Sequence, residues 1–124
     1  MTHDIEANRQ IALDFLRSLE TGPRYELVAE DARWWIQGYG FLPLAEFKAL
    51  AKRALETRAP SHMLIRHVTA EEDRVAIECD GKGRFHDGGA YENTYHFLMF
   101  VRGGLIREVH EHHDTGYARE VMRG

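Results

Sequence analysis

Residues 91–114 read YENTYHFLMFVRGGLIREVHEHHD. Aromatic and β-branched residues alternate with polar ones on both sides of Gly103-Gly104, a two-residue turn signal of the kind that reverses an antiparallel hairpin. We therefore read Tyr91 to Val101 and Leu105 to His113 as paired strands. With the glycines at the turn, Arg102 faces Leu105, His96 lies opposite Glu111, Leu98 opposite Val109 and Phe100 opposite Arg107. Directly opposed residues share a face. One face then carries Thr94, His96, Leu98, Phe100, Arg107, Val109, Glu111 and His113. The other carries Asn93, Tyr95, Phe97, Met99, Ile106, Glu108, His110, His112 and Asp114. A one-residue bulge would exchange the two sets on one strand. The first face is apolar near the turn and polar farther along, as in a cone closed at one end and equipped for chemistry at the other.

Two more strands precede this hairpin, Met63 to Thr69 and Arg74 to Phe85, the latter with Val75, Ile77 and Cys79 alternating against Arg74, Glu78 and Asp80. Asp87-Gly88-Gly89 is a turn. The N-terminal half reads differently. From Asp4 to Leu19, the residues Ile5, Ala12, Phe15, Leu16 and Leu19 fall on one helical face, with Thr2 or Asp4 as cap and Thr21-Gly22-Pro23 as terminator. A short helix over Arg24 to Ala29, a strand over Ala32 to Ile36 and a helix opened by Pro43 and stopped by Ala59-Pro60 near Arg58 follow. Tyr117 to Met122 adds a last helical turn. Helices first and hairpins after argue an α+β fold in one domain, residues 1–124, with helices laid across one face of a bent antiparallel sheet.

Composition excludes several partners. The chain has 124 residues, a net charge of −4 and a predicted pI of about 6.0. No Lys/Arg stripe offers a phosphate footprint, so nucleic acid is not expected. No apolar run is long enough to span a bilayer and none resembles a leader, so a cytoplasmic location is expected, with no membrane partner. Cys79 is alone, which leaves no disulfide framework and no cysteine-based zinc site. The His content is unusual: five of eight fall between residues 86 and 113.

The segments Asp31-Ala32-Arg33-Trp34 with Gly38, Tyr91-Glu92-Asn93-Thr94-Tyr95, and Gly104-Leu105-Ile106 with Glu111-His112-His113-Asp114-Thr115 resemble SnoaL-like polyketide cyclase domains. Those sit in the nuclear transport factor 2-like superfamily with ketosteroid isomerase and limonene epoxide hydrolase. The resemblance implies a cone-shaped fold, with helices packed on a strongly curved antiparallel sheet over a pocket. It places Glu111 where such enzymes hold a catalytic acid on the last strand, and His96 where isomerases hold an oxyanion donor. It makes His113 a pocket-lining residue and Trp34 a pocket wall, and gives Asp114 a structural role at the end of the last strand. The proton-abstracting Asp of the isomerases, their phenolic donor on the first helix and the Arg-x-Asp pair of the epoxide hydrolases have no counterparts.

The expected site is therefore His96 and Glu111 as acid–base pair, with Thr94, Leu98, Phe100, Val109, His113 and Trp34 around the substrate. A carboxylate beside an imidazole raises the imidazole's pKa and exchanges a proton with it near neutral pH. The bland alternative is an ion pair on a solvated sheet face. The reaction expected is cyclisation, isomerisation or dehydration of a small, largely apolar or polyketide-like carbonyl compound, without a cofactor. A non-catalytic binding module or interaction module of the same fold stands beside it. His110, His112 and Asp114, with His86, have metal-ligand character, but the register puts the first three opposite the pocket, and no metal is expected. Of Trp34 and Trp35 one points outward. With Phe97 and Met99 it forms an apolar outer patch that suits a homodimer. Cys79 reads as a buried apolar residue.

Overall fold

The computed structural model describes residues 4–57 and 62–121. The helix α1 spans Ile5–Ser18, its first turn capped by Asp4, whose Oδ1 accepts the Ala7 N–H at 3.0 Å. A single 3-10 turn, Tyr25–Leu27, leads into β1, Val28–Ile36. The edge strand β2, Gly40–Pro43, precedes α2, Leu44–Thr57. Four long strands follow: β3 His62–Glu71, β4 Arg74–Arg84, β5 Ala90–Arg102 and β6 Leu105–His113. The helix α3, Thr115–Val121, ends the described chain. Thr2 as a cap, the helix stop at Arg58 to Pro60 and the helix end at Met122 lie outside the described residues.

The strands form one curved six-stranded sheet in the order β2-β1-β6-β5-β4-β3. All neighbours are antiparallel except β1 and β6, which run parallel. The α1 helix packs across β3 to β6 and α2 against β1 and β2. Their apolar stripes explain this. Ala12, Phe15 and Leu16 of α1 are fully buried over Val75, Ile77, Met99, Val101 and Ile106 of the sheet. Each large apolar side chain so buried contributes roughly 1.5–3 kcal/mol.

Three features depart from the sequence reading. The segment Arg24 to Ala29 is not a helix beyond one 3-10 turn, and β1 starts at Val28. The strand β2 was not foreseen. Gly38 and Gly40, with φ of 86° and 81°, turn the chain so that Trp35 pairs with Phe41. Pro43 closes β2 instead of opening the helix, which begins at Leu44.

The register of the decisive hairpin changes part-way. Arg102 pairs with Leu105 and Val101 with Ile106, but Phe100 then pairs with Glu108, so Arg107 is an extra residue on β6. Its Nε–H donates to the carbonyl of Arg102 at 3.0 Å. The bulge lets Ile106 and Val109 both face the helices, with Arg107 and Glu108 between them. From there to the end of the hairpin, the faces inferred for β6 stand and those inferred for β5 are exchanged. On β5 it is Tyr91, Asn93, Tyr95, Phe97, Met99 and Val101 that face the helices.

Phe15 is fully buried and its ring lies 5.8 Å from that of Trp34. Replacing Phe15 by Ala is expected to cost about 3–5 kcal/mol of unfolding free energy, measurable as a lower urea midpoint at constant slope.

Candidate functional site

Beyond the bulge, β6 turns Val109, Glu111 and His113 toward the helices. Glu111 is 8% exposed, and a carboxylate so placed needs donors. The neighbouring parallel strand supplies one. Trp34 pairs with Val109 along the backbone, and its indole Nε1–H donates to Glu111 Oε1 at 2.9 Å. The indole is itself clamped, stacked on Phe47 of α2 at 3.7 Å between centroids and 12° between planes. The other carboxylate oxygen, Oε2, lies 2.9 Å from His113 Nδ1. That approach is not aligned as a hydrogen bond, and Nδ1 is buried. Carboxylate and imidazole thus lie side by side, with Trp34 fixing one of them.

The adjacent strand adds phenols. Tyr95 lies opposite His113 in the register, with ring centroids 5.1 Å apart. Its hydroxyl meets that of Tyr91 at 2.6 Å. Asn93 Nδ2 donates to Tyr91 Oη and to the Asp114 carbonyl, both at 3.1 Å, while its Oδ1 accepts the Asp114 N–H. Gly81 makes room for this arrangement, because a Cβ there would lie 2.8 Å from Tyr95 Cε1.

Glu111, His113, Tyr91 and Tyr95 share the wall of a cavity of about 350 Å³. Phe97, Met63 and the α2 residues Leu50, Ala51, Ala54 and Leu55 make the rest of it apolar, and Tyr39 and Arg119 stand at its exposed rim.

Several residues expected at the site lie elsewhere. His96 does not meet Glu111. It pairs with His112 on one side and Glu78 on the other, exposed on the outer face of the sheet. Thr94 is exposed on the same face, and Leu98 and Phe100 are half-buried there. The bulge at Arg107 is the cause, since it exchanges the β5 faces relative to β6. Val109 faces inward as core, and Trp34 sits behind Glu111 without lining the cavity. The structure brings together Trp34, Glu111 and His113. Tyr91 and Tyr95 were not expected as polar groups of the cavity. Their signal was the unbroken alternation Tyr91, Asn93, Tyr95, Phe97, Met99, Val101.

His110 and His112 face outward, and Asp114 accepts the Tyr117 N–H at 2.9 Å at the start of α3. Among the described residues no group of three or more His, Cys, Asp or Glu is placed to hold a metal ion. Phe97 and Met99, assigned to the outer patch, are buried in the core. The outer aromatic cluster consists instead of Trp35, Phe41 and Phe100 around His110. His110 Nε2 lies 2.7 Å from Glu108, which also takes an Arg33 hydrogen bond at 2.9 Å. Burial raises the Glu108 pKa, but these two partners outweigh it and hold the carboxyl below its usual range. Burial, with Asp80, Glu111 and Glu78 nearby, pushes the Cys79 thiol up to about 12, which leaves it inert as a nucleophile.

Residues 24–109 match the family model of the SnoaL-like domain. The chain belongs to that family. Solved structures agree on the fold. A protein from Jannaschia sp. CCS1 named a SnoaL-like polyketide cyclase superposes with a TM-score of 0.81 at 14% identity, over 98% of this chain and 96% of that one. A Mycobacterium tuberculosis epoxide hydrolase of the limonene epoxide hydrolase type gives 0.74 at 12% identity, over 92% and 87% of the two chains. A protein with a ketosteroid isomerase-like fold from Catenulispora acidiphila DSM 44928, solved in complex with trimethylamine, gives 0.67 at 17%, over 90% and 85%. Among curated proteins no sequence matches. No helix among the described residues is long and apolar enough to cross a membrane.

Two substitutions separate the roles of Trp34 and Glu111. Trp34→Phe removes the indole donor and strands a buried carboxylate oxygen, at an expected cost of about 1–3 kcal/mol in urea unfolding. Glu111→Gln keeps an acceptor for the indole and removes the buried charge, so its melting temperature at neutral pH should equal or exceed that of the wild type.

Proposed function

We propose that this SnoaL-like domain, spanning residues 1–124, performs acid–base chemistry on a small, largely apolar carbonyl compound, polyketide-like in character. The carrying observation is the buried Glu111 carboxylate, fixed on one oxygen by Trp34 and set 2.9 Å from His113 on the other, at an apolar cavity. Glu111 takes a proton from the carbon beside the carbonyl and becomes the carboxylic acid. The electron pair moves into the C–C bond and the carbonyl oxygen becomes an enolate oxygen, which the Tyr91–Tyr95 phenols stabilise by hydrogen bonding. His113 holds the proton in transit. Return of the proton to a different carbon is isomerisation. Attack of the enolate carbon on a second carbonyl is cyclisation, and loss of a β-hydroxyl, protonated as it leaves, is dehydration. Placing the acid–base pair at Glu111 and His113 supersedes the His96–Glu111 pair.

The test requires no natural substrate. Small cyclic ketones such as 2-tetralone, incubated in deuterium oxide, should gain deuterium beside the carbonyl faster with the protein than without it. Glu111→Gln should lose about 10²-fold or more of that acceleration, and His113→Gln and Tyr95→Phe should fall between. Mass spectrometry gives the rates. A Glu111→Gln variant as fast as wild type would remove Glu111 as the base. Tight binding of the ketones without exchange would favour a binding module, a use of the fold consistent with the trimethylamine held by the Catenulispora protein.

We further propose a homodimer through the outer sheet face, working in the cytoplasm. Trp35, Phe41 and Phe100 cluster there, Phe41 is 47% exposed, and the adjoining Arg33–Glu108 pair can be matched by a two-fold copy of itself. The lone, buried Cys79 suits a reducing compartment, and fractionation of the native cells would check it. Phe100→Glu should halve the mass seen by sedimentation; an unchanged mass would place the contact elsewhere.

A further inference from the structure

The cavity wall carries opposite charges, one buried and one exposed. Glu111 is buried in that wall, while Arg119 is exposed and is the one Lys or Arg that lines the cavity among the described residues. Arg24, Arg33, Arg66, Arg74 and Arg102 each pair with a carboxylate within 2.9 Å. Arg119 has no such partner among the described residues. Its Nε–H makes a long hydrogen bond of 3.3 Å to the Thr115 carbonyl, and its guanidinium carbon lies 5.9 Å from the centre of the Tyr39 ring. Gly38 passes beneath it. Its φ of 86° is what calls for glycine, and a Cβ built on it would only be in ordinary contact, 3.5 Å from Thr115 Oγ1 and 3.7 Å from Arg119 Nη2, which places the turn after β1 against α3 and the arginine. The guanidinium is therefore held at the mouth, with donors uncommitted to any carboxylate of the described residues.

We infer that the cavity takes an apolar molecule with an anionic group at one end, of carboxylate type, and that Arg119 reads that group at the rim. This rests on the reading of the cavity as a substrate site. The two charges fix the direction of entry. An anionic end cannot approach Glu111 in a water-poor space without strong repulsion, whereas a cationic end would be drawn down to it. An anion-tailed molecule thus leaves its tail on the guanidinium, whose planar fork matches a carboxylate, and presents its uncharged carbonyl end to Glu111 and the phenols. Because the rim is wet, Arg119 selects and orients more than it adds affinity. An exposed ion pair corresponds to about a threefold to fivefold preference.

Three matched probes test this on the full chain: 4-phenylbutanoate, 4-phenylbutanamide and 4-phenylbutylamine, anionic, neutral and cationic on the same apolar body. The protein has two indole N–H signals for NMR. Trp34 reports on the cavity through Glu111, and Trp35, on the outer face, serves as control. The expected result is a Trp34 shift without a Trp35 shift, and a butanoate Kd about threefold to fivefold below that of the amide. Arg119→Gln should abolish that preference while leaving the amide Kd within about twofold, and Arg119→Lys should keep part of it. Equal affinity for anion and amide, tightest binding of the amine, or a preference that survives Arg119→Gln overturns the inference and leaves the acid–base reading standing. No Trp34 response to any probe would reject the cavity as a site for such molecules, and both readings with it.

Discussion

The hydrogen bond from the Trp34 indole to the Glu111 carboxylate is the contact on which the rest of the site depends. A carboxylate with so little exposure is tolerated only where its oxygens find partners. The donor that meets this need comes from a different strand and is held by both N-terminal helices, against Phe15 of α1 and Phe47 of α2. Helix packing therefore reaches the carboxylate directly. Movement of α2 would move the indole, and with it the oxygen that faces His113.

The second constraint is the extra residue on β6. Without the bulge, strict alternation back from Glu111 and Val109 would put Arg107 on the inner face, and a guanidinium would enter the core. With it, Ile106 fills that place and the carboxylate still points inward farther along. The bulge reconciles an apolar stretch with a polar one on the inner face of one strand. It also decides which face of β5 joins the site, which is why phenols rather than imidazole stand beside Glu111 and His113.

Much of this was legible in the residues. The stripes of α1 and α2, the four long strands and the Gly103-Gly104 turn follow from periodicity and turn chemistry, their order gave helices laid across one face of an antiparallel sheet, and the cone shape was what the family resemblance implied. Glu111 and His113 were readable because β6 keeps its alternation beyond the bulge. His96, Thr94, Leu98 and Phe100 were misplaced because their face was carried across the hairpin from β6. The signal for the bulge was present, since Arg107 and Glu108 put two charged residues in succession between Ile106 and Val109. Other elements leave no local trace. Gly40–Pro43 is too short and too proline-bound to read as a strand, and pairing of β1 with β6 is a parallel contact that no hairpin spacing announces. Arg119 sits at the rim only because α3 folds back beside the turn at Gly38.

The parallel seam between β1 and β6 has a consequence for how the protein comes into being. The indole and the carboxylate it holds are 77 residues apart in sequence. On a ribosome working from the N-terminus, β1 emerges before β6 and has only the short β2 as a strand neighbour until β6 is out. The hairpins of the second half can zip up locally, but the central join requires closing a long loop, and it comes late on entropic grounds. In the interval a strand bearing two tryptophans waits with one edge unpaired, the kind of surface that chaperones shield in nascent chains.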